Sequence, residues 1–333
     1  MAWTEFYMQP TGSNLNAGST NADTASVTQT GGSWDSATRT FTAAIGTPFS
    51  GVVAGGEWAS IYADGATSTS YVAQVESVGG GGSTLTTSAS IRLGNVPTLG
   101  TNNRSCKIGG AWASFAPSVF AASTTLVTPC RVNVKAATYA NTTTNRSVSW
   151  TGTTEFPFCM RGYNTTPGDL DNVTDGTRPE VTFTSGGMNF SSAFANIQNI
   201  NFSCSSNTQP LTISGQDSTL INCRSINTNA SASALAITIG NGRQIYKSCY
   251  FECTSSSTSI VSSTSGPFSL IECSFAGGGH GVTIAANIRA VVTNCIFKSV
   301  GGDALRITSN STDLIHFASN NIYACSGDGI DST

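Results

Sequence analysis

The sequence predicts an all-β protein: a parallel β-helix with about 24 residues per rung, preceded by a small β-sandwich or barrel. Three observations carry this. From about residue 196 the chain aligns to itself as "NIQNINFSC", "TLINCRSIN", "IYKSCYFEC", "SLIECSFAG", "VVTNCIFKS" and "FASNNIYAC". Residues two apart in these segments are mostly apolar, which is the parity of a strand with one face turned inward. The first third lacks the period and alternates apolar with polar residues between glycine turns. The expected division is 1–118 for the N-terminal part and 119–333 for the solenoid.

The N-terminal part begins with Trp3, Phe6 and Tyr7, followed by a polar arm from about Thr11 to Gly32. Two readings of the aromatics stay open: packing on the edge of their own domain, or docking onto a neighbouring protein. "EWASIYADG" and "SYVAQVESV" alternate as half-buried strands do. "VGGGGST" supplies a hairpin turn. The domain is expected to end near "CKIGGAWASFAP".

In the repeating part the anchors are Ile200, Cys223, Cys249, Cys273, Cys295 and Asn321, at steps of 23, 26, 24, 22 and 26 residues. Two residues on come Phe202, Ser225, Phe251, Phe275, Phe297 and Tyr323. Two further on come Cys204, Asn227, Cys253, Gly277, Ser299 and Cys325. A second strand in each period carries Leu211, Leu235, Ile260, Val282, Leu305 and Ile330. A period of this length signals a solenoid. Leucine-rich repeats would need a Leu-x-x-Leu-x-Leu frame, which is absent, and a propeller blade needs about 40 residues or more.

The cysteine column follows from the same alignment. Cys223, Cys249, Cys273 and Cys295 are expected inside, one rung (about 4.8 Å) apart, as reduced thiols that pack like small hydrophobes. Parallel Cβ vectors suit disulfides poorly. Cys249 and Cys253 are four apart with no second pair at metal-ligand spacing, and the chain has two histidines, so no metal site and no cofactor is expected. "GNGRQ" at 240–244 lacks the Lys-Ser/Thr of a phosphate loop.

Charged residues are 10% of the chain and the formal net charge is −3. No basic patch offers itself to nucleic acid. No apolar run reaches the ~20 residues of a membrane span. "MAWTEFYMQPTGSN" has neither the basic nor the apolar region of a secretory signal.

From about Cys130 onward the chain resembles the right-handed parallel β-helix, pectate-lyase-like superfamily. "RVNVKAATY" resembles the coil leading into its first rung. "MRGYNTTPGDLDNVTDGTRPEVTF" resembles the Gly-Tyr-x-Thr-Thr-x-Gly-Asp … Arg-Pro segment that follows in β-helix proteins of phages and bacteria. The resemblance covers about 200 residues and implies a fold; that fold hosts many activities.

One stretch resembles an active site. Gly-His-Gly at His280 and Arg-Ile-Thr at Arg306 stand in the order of the Gly-His-Gly and Arg-Ile-Lys motifs of polygalacturonases. Inverting hydrolysis needs an acid and a base carboxylate with room for water between them. Upstream of His280 the chain has neither the Asn-Thr-Asp nor the Asp-Asp of that family. The repeat accounts for the rest. His280, Asp303 and Asp328 each precede a second-strand residue by two, where earlier rungs carry Gln209, Ser233 and Thr258. They read as versions of one bend, in which a polar residue bonds its own backbone and Gly supplies φ > 0. As catalytic candidates, His280, Asp303, Asp328 and Arg306 remain, because a His beside a carboxylate can act as an acid–base pair.

The function expected is therefore a structural or adhesive phage virion protein: a tail spike, fibre or capsid decoration, made in the host cytoplasm. The N-terminal domain would attach to other virion proteins, and the β-helix would touch host surface glycans. The alternatives are a polysaccharide hydrolase or lyase on the same fold, and a cell-surface adhesin. "NNIYACSGDGIDST" stops in mid-rung without a capping element, so either further chain or another subunit is expected to cover that end; with few surface charges, this predicts a homotrimer.

Overall fold

The computed structural model describes residues 2–97, 100–141, 145–171, 177–231, 234–240, 242–256, 259–263, 266–284, 288–308 and 314–332. Among these, one 3-10 turn at Ser118–Phe120 accompanies the strands. The chain divides into two compact units. One is Met1–Lys135 with Ser149–Pro157; the other is Ala136–Val148 with Phe158–Thr333.

In the first unit, six strands close a barrel. Around it run Val27–Asp35, Thr40–Thr42, Thr84–Gly94, Tyr71–Gly79, Trp58–Ala63 and Gly100–Ile108, the last returning to the first, with antiparallel pairing throughout. Alternation puts Trp34, Phe41, Ile61, Tyr71, Val75, Leu85 and Ile108 into one core. The expected hairpin turn is the run Gly80, Gly81 and Gly82, all at positive φ. The strand Val27–Asp35 begins inside the expected polar arm. The rest of that arm folds back on its own unit. Buried Asn16 donates to Ala111 O at 2.9 Å and accepts from Trp112 Nε1 at 2.8 Å through its carbonyl. Of the leading aromatics, Phe6 is fully buried, stacked on Trp112 at 5.4 Å and edge-on to Trp58 at 5.0 Å. Trp3 lies under the Arg131 guanidinium at 5.2 Å. Packing within the unit, the first of the two readings, accounts for both.

The second unit is a solenoid of parallel strands in three sheets. The first sheet holds Phe158–Tyr163, Ala195–Gln198, Ser218–Ile221, Gln244–Lys247, Phe268–Ile271, Ala290–Thr293 and Ile315–Ala318. The second holds Thr138–Asn141, Glu180–Phe183, Asn201–Cys204, Arg224–Asn227, Tyr250–Cys253, Ser274–Gly277, Ile296–Lys298 and Asn321–Tyr323. The third holds Arg146–Val148, Met188–Phe190, Leu211–Ile213, Ile237–Ile239, Ser259–Ser263, His280–Ile284, Leu305–Ile307 and Ile330–Ser332. Each pairs in parallel with the strand of the next rung, so every turn satisfies the last turn's backbone.

The first and second sheets are joined by a tight bend whose apex residue is left-handed: Asn199, Asn222, Ser248, Glu272, Asn294 and Ser319, with φ of 52–57°. The residue after each apex points inward. In the middle rungs these are Cys223, Cys249, Cys273 and Cys295, each 0–2% exposed. All are free thiols. Their sulfurs donate to the carbonyl two residues back, at 3.3–3.4 Å. The column above them is a stack of rings: Phe251 on Phe275 at 5.6 Å, and Phe275 on Phe297 at 4.7 Å. The polar exceptions in these inward columns are satisfied. Ser225 Oγ donates to Ala236 O at 2.6 Å, and Asn227 Nδ2 donates to Thr208 O and Leu235 O.

Three registers differ from the sequence alignment. In the last rung the inward residue paired with Phe297 is Ile322, so the anchor is Asn320 and not Asn321; Tyr323 faces out, and Cys325 is half-buried. "NNIYAC" offers both parities, and a one-residue slip flips every side chain; the left-handed Ser319 selects the one that buries Ile322. In the third sheet, Leu211 pairs with Ile237 rather than Leu235: nine residues separate Asn227 from Ile237, where six separate Cys204 from Leu211. The next partner is Val261 rather than Ile260. There two consecutive residues, Ile260 and Val261, are both buried.

The Gly-Tyr-x-Thr-Thr-x-Gly-Asp segment is a closed turn. The Asp169 carboxylate accepts from the backbone N–H groups of Asn164, Thr165 and Thr166 at 2.7–3.0 Å, while Gly168 takes φ +96°. Residues 172–176 of the same segment lie outside the described residues.

Candidate functional site

The outward face of the third sheet presents an unbroken polar column. Pairing aligns Ser147, Asn189, Thr212, Thr238, Ser262, Thr283, Arg306 and Asp331, one per strand. Their neighbours on each strand alternate inward, so the column is the consequence of strand parity over eight rungs. At one end it borders a groove of about 220 Å³ lined by Asn145, Ser147, Asn189, Thr208, Gln209 and Thr212. Several of these groups are already oriented. Gln209 Nε2 donates to Thr212 Oγ1 at 3.1 Å, and Ser214 Oγ donates to Asn189 Oδ1 at 3.2 Å.

At the other end the structure brings together three of the four candidates. His280 Nδ1 lies 3.0 Å from Asp303 Oδ2, and His280 Nε2 lies 2.9 Å from Arg306 Nη1. Arginine only donates, so Nε2 must be the accepting nitrogen. Nδ1 then carries the proton and donates to Asp303; the Asp303 N–H, 3.2 Å from the same nitrogen, is the weaker contact. The second Asp303 oxygen, Oδ1, accepts from the Asp328 N–H at 2.9 Å. Asp328 thus joins through its backbone and not its carboxylate. The result is a charge-balanced chain, Arg306–His280–Asp303. Both imidazole nitrogens and both Asp303 oxygens are engaged, so a proton transfer to an outside group requires Arg306 to move first. Arg306 Nε is buried without a hydrogen bond; Asp331 Oδ2, at 4.0 Å, is its ion-pair neighbour.

The glycines of these bends act chiefly by lacking a side chain. Gly277 and Gly278 do take positive φ, as the bend reading requires. Gly302 and Gly327 do not. A Cβ on Gly302 would stand 2.8 Å from His280 Nδ1 and Cε1 and 2.5 Å from Gly279 O. One on Gly327 would stand 2.4 Å from Asp303 Oδ1. Asp303 therefore lies over Gly327 and accepts from the next rung's backbone through Oδ1, while His280 lies over Gly302 and meets the next rung's Asp303 carboxylate. The sequence reading expected self-bonded turns; stacking at about 4.8 Å puts the next rung's N–H within reach instead. The pairing puts Ser259 beside His280 in the preceding rung. Ser233 and Thr258, assigned to this column from sequence, lie outside the described residues.

What sequence reasoning missed is the column itself. Its signal was present: the middle residue of each second strand is polar in every rung. No group of three or more His, Cys, Asp or Glu side chains among the described residues could hold a metal ion. Nor is any helix there long and apolar enough to cross a membrane.

No protein-family model matches the chain, and no curated protein does. Three solved structures are similar. The Gp54 tailspike of Acinetobacter baumannii bacteriophage AP22, solved in complex with A. baumannii capsular saccharide, is 10% identical over 92% of this chain and 63% of its own, with a TM-score of 0.29. The tailspike protein gp49 from Pseudomonas phage LKA1 is 13% identical over the same shares, with a TM-score of 0.20. A mutant of the PL6 family alginate lyase AlyGC is 9% identical over 59% of this chain and 38% of its own, with a TM-score of 0.20. The chain thus spans under two thirds of the length of each. Its own strand pairing makes it a parallel β-helix accompanied by a six-stranded barrel.

Proposed function

We propose that the chain is a structural and adhesive component of a phage virion, a tail spike, fibre or capsid decoration, whose β-helix binds polysaccharide on the host surface. The polar column of the third sheet carries this reading. Sugar hydroxyls both donate and accept, and so do Ser, Thr and Asn side chains. A column repeated at the rung spacing along one flat sheet suits an extended, repeating polymer. Supporting it, the described cysteines are all free and nine are buried, as suits folding in a reducing cytoplasm. The first unit, with its own closed core, serves in this reading as the attachment domain. Exposed Ile245 and Val291 on the first sheet suit burial against a second copy, in a homotrimer. The test is binding of the purified chain to host capsular polysaccharide, with electron microscopy of the native particle to locate it. Loss of binding in Thr212→Ala and Thr238→Ala supports the assignment; undiminished binding in both refutes it.

A second reading is a polysaccharide depolymerase, hydrolase or lyase. It rests on the Arg306–His280–Asp303 chain, which ties an imidazole to a largely buried carboxylate beside the third sheet's outer face. Release of new chain ends that is lost in His280→Ala would establish it.

A further inference from the structure

The second sheet carries a separate trough on its outer face. Parity turns out two columns there: Arg224, Tyr250, Ser274, Ile296 and Asn321, and beside it Ile226, Glu252, Ala276, Lys298 and Tyr323. Ser274 and Ala276 are small and lie between large neighbours, which opens a cavity of about 310 Å³. That is the lower end of the roughly 300–1,000 Å³ of ligand sites. Its ends are two phenol rings, Tyr250 and Tyr323, three rungs or about 14 Å apart along the solenoid. Tyr323 is 43% exposed and Ile296 39%.

The polar groups around the trough are unequally committed. The Arg224 guanidinium covers the Tyr250 ring at 4.8 Å, and the Tyr250 hydroxyl donates to Glu252 Oε2 at 2.8 Å. Both hold the ring in place. Burial, and then the bond to Glu252, push the Tyr250 phenol up to about 12, so it stays a donor at neutral pH. Lys298 is exposed, and among the described residues it has no ion-pair partner. Two cations against one carboxylate leave the trough positive in a chain whose net charge is −3.

We infer that this trough is a binding subsite for an acidic saccharide, with sugar-ring faces on Tyr250 and Tyr323 and a uronate carboxylate at Lys298. The electron-rich face of an aromatic ring attracts the polarised C–H face of a sugar ring. A short chain of rings is long enough to bridge the two tyrosines across Ser274 and Ala276. The inference rests on the reading of the chain as a saccharide binder, but places this subsite on a different sheet from the polar column.

The experiment is calorimetric titration of the full chain with galacturonate, glucuronate and mannuronate hexasaccharides, and with maltohexaose as the neutral probe. At least one acidic hexasaccharide is expected to bind, with maltohexaose at least tenfold weaker. Tyr323→Ala and Lys298→Ala should each weaken it tenfold or more, and Ala276→Trp, which fills the trough, should abolish it. Lys247→Ala, on the first sheet, should change nothing. If binding falls only in Thr212→Ala, the subsite is refuted while the third-sheet column stands. If none of the four probes binds, the subsite is refuted, while binding of host capsular polysaccharide still decides the third-sheet column. If light scattering shows Ala276→Trp and Tyr323→Ala breaking an oligomer, the trough is a subunit interface and the inference is overturned.

Discussion

Gly302→Ala tests the geometry of the His280 cluster directly. The added methyl meets His280 Nδ1 and Cε1 at 2.8 Å and the Gly279 carbonyl at 2.5 Å. Gly302 is not in the left-handed region, so backbone strain plays no part. The carbonyl belongs to the previous rung's backbone and yields little. The imidazole is held from both sides, by Asp303 and Arg306. Overpacking of this kind costs about 1–3 kcal/mol. Displacing the imidazole also weakens its bond to the Asp303 carboxylate; a hydrogen bond to a charged group contributes about 1.5–3 kcal/mol. The lower end applies, since the two side chains are 21% and 12% exposed. Together these give about 2.5–4.5 kcal/mol, felt locally because each rung contacts mainly its neighbours. Native-state hydrogen exchange over residues 299–308 reads it as opening roughly 60- to 1,600-fold more frequent, at about 1.4 kcal/mol per tenfold. Gly301→Ala is the control, because its nearest atom is Gly278 O at 3.0 Å, a contact that small shifts relieve. Equal exchange in the two variants, or no change in Gly302→Ala, would refute the reasoning.

Cys273→Ser places a hydroxyl where a thiol is fully buried and should destabilise by roughly 1–3 kcal/mol in chemical denaturation; a thiol reagent on the native chain should reach half-buried Cys325 first and leave the Cys223–Cys295 column untouched, and rapid labelling of that column would contradict the inward register. Burial raises the Asp169 carboxyl, but the bonds from Thr166, Asn164 and Thr165 more than offset this and hold it near about 2. Its folded value is below the usual ~3.9, so its contribution to the 164–169 turn is complete above that value and disappears as pH falls through about 2. Amide shifts of residues 164–166 should therefore be constant from neutral pH to about 4 and change below it, and Asp169→Asn should produce the change at neutral pH; a transition near pH 6 would exclude this carboxylate as the clasp. Light scattering of the purified chain at micromolar concentration should give the mass of a homotrimer, and a stable monomer would defeat that proposal.

The solenoid was legible because its columns repeat. Cysteines and phenylalanines at a fixed offset name the inward face without knowledge of contacts. The barrel was legible only as strands and glycine turns: alternation marks Trp58–Ala63 and Tyr71–Gly79 as half-buried strands, whereas Trp58–Tyr62 and Tyr71–Ala73 are buried on both faces, and closure depends on pairing of Val27–Asp35 with Gly100–Ile108, residues far apart in sequence. Register was lost where the sequence offers two parities, as at Asn320 and Asn321, or where a connection lengthens, as before Ile237. At the candidate site, spacing placed His280 and Asp303 in one column. It did not place the Arg306 side chain against the far nitrogen. Nor did it show that Gly302 is required by the ring above it, since both depend on what one rung sets against the next.

In the function proposed, the sheet faces hold polysaccharide and do not cut it. The most direct measurement is incubation of the purified chain with host capsular polysaccharide, following bound polymer and new reducing or unsaturated chain ends in the same sample. Saturable binding is expected, with chain ends at the level of a protein-free control. Time-dependent release of chain ends, abolished by His280→Ala or Asp303→Asn in folded protein, would contradict it and make the Arg306–His280–Asp303 cluster an active site.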